Sequence, residues 1–95
     1  MAVHCVVPAR MGSSRFPGKP LIKIAGKEMI VRTLERALLA ECFERIVCAT
    51  DSEEIADVVS RAGFEFILTP DAATGSDRVA FAARALDLDL VVNLQ

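Results

Sequence analysis

Short β-branched apolar runs alternate along this chain with longer stretches in which apolar residues return every three or four positions. Residues 2–7 are almost wholly apolar and are closed by Pro8, a pattern suited to a strand covered on both faces. Residues 8–20 are rich in Pro, Gly and Ser and predict a loop, and residues 21–24 a brief extended piece turned by Ala25-Gly26-Lys27. From 28 to 40, Ile30, Leu34, Ala37 and Leu38 recur at helical spacing with Arg32, Glu35 and Arg36 opposite, predicting an amphipathic helix. Residues 44–49 predict a second buried strand. Thr50-Asp51-Ser52-Glu53-Glu54 then starts a helix, with capping residues and carboxylates at its positive end. Ile55, Val58, Val59 and Ala62 form its apolar stripe, and Gly63 stops it. A third strand is expected over 64–68, a loop over 69–75, a helix capped by Ser76 or Asp77 running to about 86, and a fourth strand over 88–94.

This βαβαβαβ order, with crossovers of helix length, implies parallel strands and right-handed connections, hence an α/β, three-layer architecture. The first strand is expected at the centre of the sheet. The last strand leaves one face without a covering element, so the chain is expected to be a shortened part of a larger fold.

Composition narrows the function. The chain has 95 residues, 53% hydrophobic and 25% charged, enough for one packed unit. A formal net charge of −2 argues against a general affinity for nucleic acid or anionic membrane. No apolar run has membrane-spanning length and the start lacks a signal-peptide pattern, so a cytoplasmic protein is expected. Cys5, Cys42 and Cys48 show no metal or redox spacing, and the first and last sit in apolar runs as small buried hydrophobes. His4 lies early in the first strand and is assigned no role. Asp51, Glu53 and Glu54 read as helix-start residues rather than metal ligands.

Against that acidic average, Arg10, Arg15 and Lys19 fall close together with no Asp or Glu among them. They belong to the loop after the first strand, and in open parallel sheets ligands sit beyond the carboxyl ends of strands where strand order reverses. Arg presents a planar fork to phosphate oxygens and Lys a movable point charge. Gly12 and Gly18 permit close backbone approach, and Pro17 and Pro20 stiffen the loop. The loop is not a P-loop, because Pro20 stands where Ser or Thr is required, and no GxGxxG is present.

The segment Pro8-Ala9-Arg10-Met11-Gly12-Ser13-Ser14-Arg15-Phe16-Pro17-Gly18-Lys19-Pro20-Leu21 resembles the signature of the 3-deoxy-manno-octulosonate (Kdo) cytidylyltransferases, the CMP-Kdo synthetases. The likeness continues through Val47-Cys48-Ala49-Thr50-Asp51, Thr74-Gly75-Ser76-Asp77-Arg78 and Val92-Asn93-Leu94-Gln95, departing at Phe16 and Glu28, outside the charged positions. It implies a Rossmann-like sheet of the nucleotide-diphospho-sugar transferase type, with residues 1–95 as the CTP-binding portion of a longer enzyme. It implies cytidylyl transfer from CTP to Kdo with release of pyrophosphate, for lipopolysaccharide biosynthesis. On this reading Arg10, Arg15 and Lys19 hold the triphosphate as the catalytic cations, and Ser13 adds a contact. Pro8 and Ala9 present backbone groups to cytosine, Gly75, Ser76 and Arg78 border its pocket, and Gln95 contacts the sugar acid. Magnesium is expected for the full-length enzyme, with ligands outside this chain, as is a homodimer.

Two other readings stay open. One is a sister activity, CMP-sialic acid synthesis or another sugar nucleotidyltransferase, separable by the sequence after Gln95. The other is a non-catalytic nucleotide-binding fragment, and the isolated chain is expected to be inactive.

Overall fold

The computed structural model describes residues 3–10, 21, 23–24, 26–70, 75–88 and 90–93. Strand β1 (Val3–Ala9) carries the first apolar run and lies inside the sheet. A small antiparallel hairpin follows, β2 (Lys23–Ile24) and β3 (Lys27–Glu28), reversed at Gly26 with φ 87°. The sequence had indicated its first arm and its turn but not its second arm, which is too short and too polar to register as a strand. Helix α1 (Met29–Leu39), β4 (Arg45–Thr50), α2 (Glu53–Arg61), β5 (Glu65–Leu68), α3 (Gly75–Ala85) and β6 (Leu90–Asn93) complete the order.

The main sheet is parallel throughout, in the order β5-β4-β1-β6. The chain therefore grows outward on one side of β1 through β4 and β5, then crosses back to place β6 on the other. The reversal point is the carboxyl end of β1, as the sequence predicted. Cys5, Val7, Ala9 and Cys48 pack beneath α1 and α2 with Leu34, Ile55 and Val59, all buried. On the opposite face Val6 and Ala49 pack against Val79 and Ala82 of α3. Two apolar layers, one on each face of one sheet, make the fold the three-layer α/β expected.

Several boundaries move for identifiable reasons. β1 does not close at Pro8 but continues to Ala9, in register with Ala49 and Thr50 of β4. The Val3 carbonyl accepts from the Glu44 N–H at 2.8 Å, so alternation along the strand turns the Pro8 nitrogen toward β6. Among the described residues the pairing with β6 runs from Val3↔Leu90 to Val6↔Asn93, and a proline offers no N–H to a ladder. In α1 the buried stripe is Ile30, Val31, Leu34 and Ala37, and Leu38 is left 58% exposed. In α2 Ala56 is buried and Ala62 is exposed.

Candidate functional site

Three chain segments converge on the carboxyl rim of the sheet. β1 ends at Ala9 and delivers Arg10, which is exposed, at the reversal point. Pro8 is half-buried and Ala9 buried, so what this turn offers a ligand is backbone rather than side chain. Ser13, Arg15, Lys19 and Gln95 lie outside the described residues.

α3 starts at the same rim, because it follows β5 in a parallel crossover, and it packs along β1. Its first residues are Gly75 and Ser76. Ser76 and Asp77 therefore belong to the first turn and neither is the cap, in contrast to the sequence expectation; the helix begins two residues sooner than a cap at Ser76 would give. A first turn carries backbone N–H groups without intrahelical acceptors, and these give it affinity for negative charge or for carbonyl oxygens.

Arg78 departs most from a surface cation. Its guanidinium is 2% exposed; Nη1 donates to the Thr69 hydroxyl and Nη2 to Asp51 Oδ2 at 3.4 Å. Asp51 is thus not a helix cap. That task belongs to Ser52, whose Oγ accepts from the Ile55 N–H at 3.3 Å, while the Ser52 N–H donates to Thr50 Oγ1 at 3.1 Å. Thr69, itself buried, extends the β4–β5 ladder by donating its N–H to the Thr50 carbonyl at 2.8 Å. Sequence reasoning missed this cluster. Its signal was present, since Arg78, Val79 and Ala82 share one helix face, which put an arginine on the stripe that meets the sheet.

Among the described residues no three of His, Cys, Asp and Glu converge on a common point. Nor, among them, is any helix long and apolar enough to cross a membrane.

The cytidylyltransferase family matches residues 4–95. The chain belongs to the cytidylyltransferase family. A 3-deoxy-manno-octulosonate cytidylyltransferase of Syntrophotalea carbinolica is 52% identical over the whole chain, which spans 38% of that relative. An 8-amino-3,8-dideoxy-manno-octulosonate cytidylyltransferase of Shewanella sediminis is also 52% identical, again over the whole chain and 40% of the relative. Among solved structures, a CMP:2-keto-3-deoxy-manno-octonic acid synthetase complexed with CTP superposes with a TM-score of 0.95 at 38% identity, over 100% of this chain and 40% of that one. A cytidylyltransferase from Leptospira borgpetersenii gives 0.81 at 28% identity, over 99% of this chain and 41% of that one. The chain thus spans about two fifths of the cytidylyltransferases it matches, and the parallel sheet with its rim belongs to that shared part.

Proposed function

We propose that residues 1–95 form the nucleotide-binding part of an enzyme that transfers a cytidylyl group from CTP to an octulosonate sugar acid, with Kdo as acceptor. The observation that carries this reading is the placement of Arg10 at the carboxyl end of the central strand, inside a basic loop, in a fold that follows the CTP-complexed synthetase at a TM-score of 0.95.

The chemistry is a displacement at phosphorus. The anomeric hydroxyl oxygen of the sugar acid bonds to the α-phosphorus of CTP, the bond from that phosphorus to the bridging oxygen breaks, and pyrophosphate leaves with its electron pair. The hydroxyl proton passes to solvent. Catalysis of such a step is mainly alignment and neutralisation of phosphate charge. Arg10, with Arg15 and Lys19 from the same loop, supplies the cations. The N–H groups of the first turn of α3 and the backbone at Pro8 and Ala9 supply fixed polar groups for the base. Magnesium, held by carboxylates outside residues 1–95, is part of the proposal, as are cytoplasmic location and a homodimer.

The test is pyrophosphate release by the full-length protein with CTP and Kdo, with UTP in place of CTP, and with EDTA. Turnover is expected with CTP and lost with EDTA, and Arg10→Ala is expected to lower kcat/KM by about 10²-fold, the scale of one lost electrostatic donor. Absence of turnover with any octulosonate sinks the reading. The 8-amino sugar belongs in the same assay, because relatives named for it are as similar to this chain as those named for Kdo.

A further inference from the structure

Arg78 heads the fully buried side chains among the described residues. Taking a guanidinium out of water is costly, and an apolar side chain of similar volume would fill the same space without that penalty. Stability alone gives no reason for a cation here. What arginine adds is direction, because its planar fork fixes both the distance and the angle between the groups it joins.

The groups joined are informative. Asp51 directly follows the last residue of β4, and Thr69 directly follows β5. Thr69 is fastened in turn to the Thr50 carbonyl at 2.8 Å. Arg78 therefore locks the exits of two neighbouring strands to α3, one turn after Gly75 and Ser76. Val79 and Ala82 seat the same helix face against Val6 and Ala49. Packing thus sets the height of α3 over the sheet, and the Arg78 fork sets how far its first turn advances along the rim toward the end of β1.

We propose that Arg78 is a positioning residue. Held by Asp51 and Thr69, it fixes the first turn of α3 relative to the Pro8-Ala9-Arg10 turn, and so acts on the nucleotide base through the helix rather than by bonding it directly, as a place on the border of the cytosine pocket would imply. This rests on the CTP reading above and adds base selectivity to it.

The experiment uses the full-length protein with Asp51→Asn, Thr69→Val, Arg78→Met and Arg78→Lys, measuring kcat and KM for CTP and for UTP at saturating Kdo, beside thermal unfolding. Asp51→Asn and Arg78→Met are expected to raise KM for CTP about 10-fold, the change that about 1.4 kcal/mol produces. In both, kcat stays within about 3-fold and the preference for CTP over UTP narrows. Arg78→Lys, which restores charge but not the fork, stays closer to Arg78→Met than to wild type. Lowered melting temperatures with wild-type KM and wild-type base preference overturn the proposal, since they describe a purely structural pin. Asp51 is partly exposed, so Asp51→Asn carries the test where Arg78→Met does not fold. A wild-type protein without CTP turnover instead refutes the nucleotide reading itself, before any variant is compared.

Discussion

Cys48 is wholly buried beneath α1 and α2, and that burial pushes its thiol up to about 12, against the opposing pull of the Arg78 charge. The Cys5 thiol is raised as well, by burial first and then by Cys42. Both stay protonated in the fold at pH values where the same thiols in an unfolded chain have begun to ionise near 9.0. The folded state then binds more protons than the unfolded one, so stability is full below pH 9 and falls as pH rises from there toward 12. Denaturant melts at pH 8 and pH 10 are expected to show that fall, and Cys48→Ala to flatten it; equal curves would mean that the thiol is not held protonated. Thiol labelling of the native chain is expected at Cys42, which is exposed, and at the other two after unfolding. The sequence supplied the inert reading of Cys5 and Cys48 because apolar neighbours foretell burial. For Arg78 the warning was weaker, because its helix face shared with Val79 and Ala82 means burial only once that face is known to meet the sheet.

Among the elements, α1 and α2 end by different means, with different consequences. α2 stops at Gly63, whose φ of 88° suits glycine and whose N–H donates to the Ser60 carbonyl at 3.0 Å. α1 stops at Glu41, a non-glycine residue with φ 58°. Gly63→Ala is therefore expected to lower stability by about 1 kcal/mol and Glu41→Gly to raise it by up to about 1 kcal/mol, since the left-handed region is unfavourable to a side chain. Ser52→Ala is expected to cost about 1 kcal/mol through the lost cap. Chemical denaturation of the three variants checks these signs, and a stabilising Gly63→Ala would contradict the cap geometry. The start of α2 was legible because capping is a local rule. The end of α1 near Ala40 was legible from where the apolar periodicity stops, but the left-handed residue after it was not, because Glu41 bears no stop signal.

Across the whole molecule, β5 forms one edge of the sheet, and it leaves Phe66 41% and Leu68 47% exposed beside α2. The bidentate pair of Arg45 with Glu65 sits at the start of that strand, at 2.9 and 3.3 Å, and puts charge where edge pairing would begin. Leu68→Lys is expected to raise the solubility of this chain while changing stability by less than about 0.5 kcal/mol, as for an exposed position. A large destabilisation would place Leu68 in the core instead. The same scale divides what each level of description decides. Local patterning was sufficient for the alternation of strands and helices, the parallel sheet, the inner place of β1 and the position of Arg10 at its carboxyl end. Those follow from periodicity, capping and crossover length, which act within a few residues. Tertiary structure alone decided which cation is buried. Asp51, Thr69 and Arg78 are far apart in the chain and meet because two strand exits and one helix turn share a rim. No local rule contains that meeting, since it is set by how the α3 layer packs on the sheet.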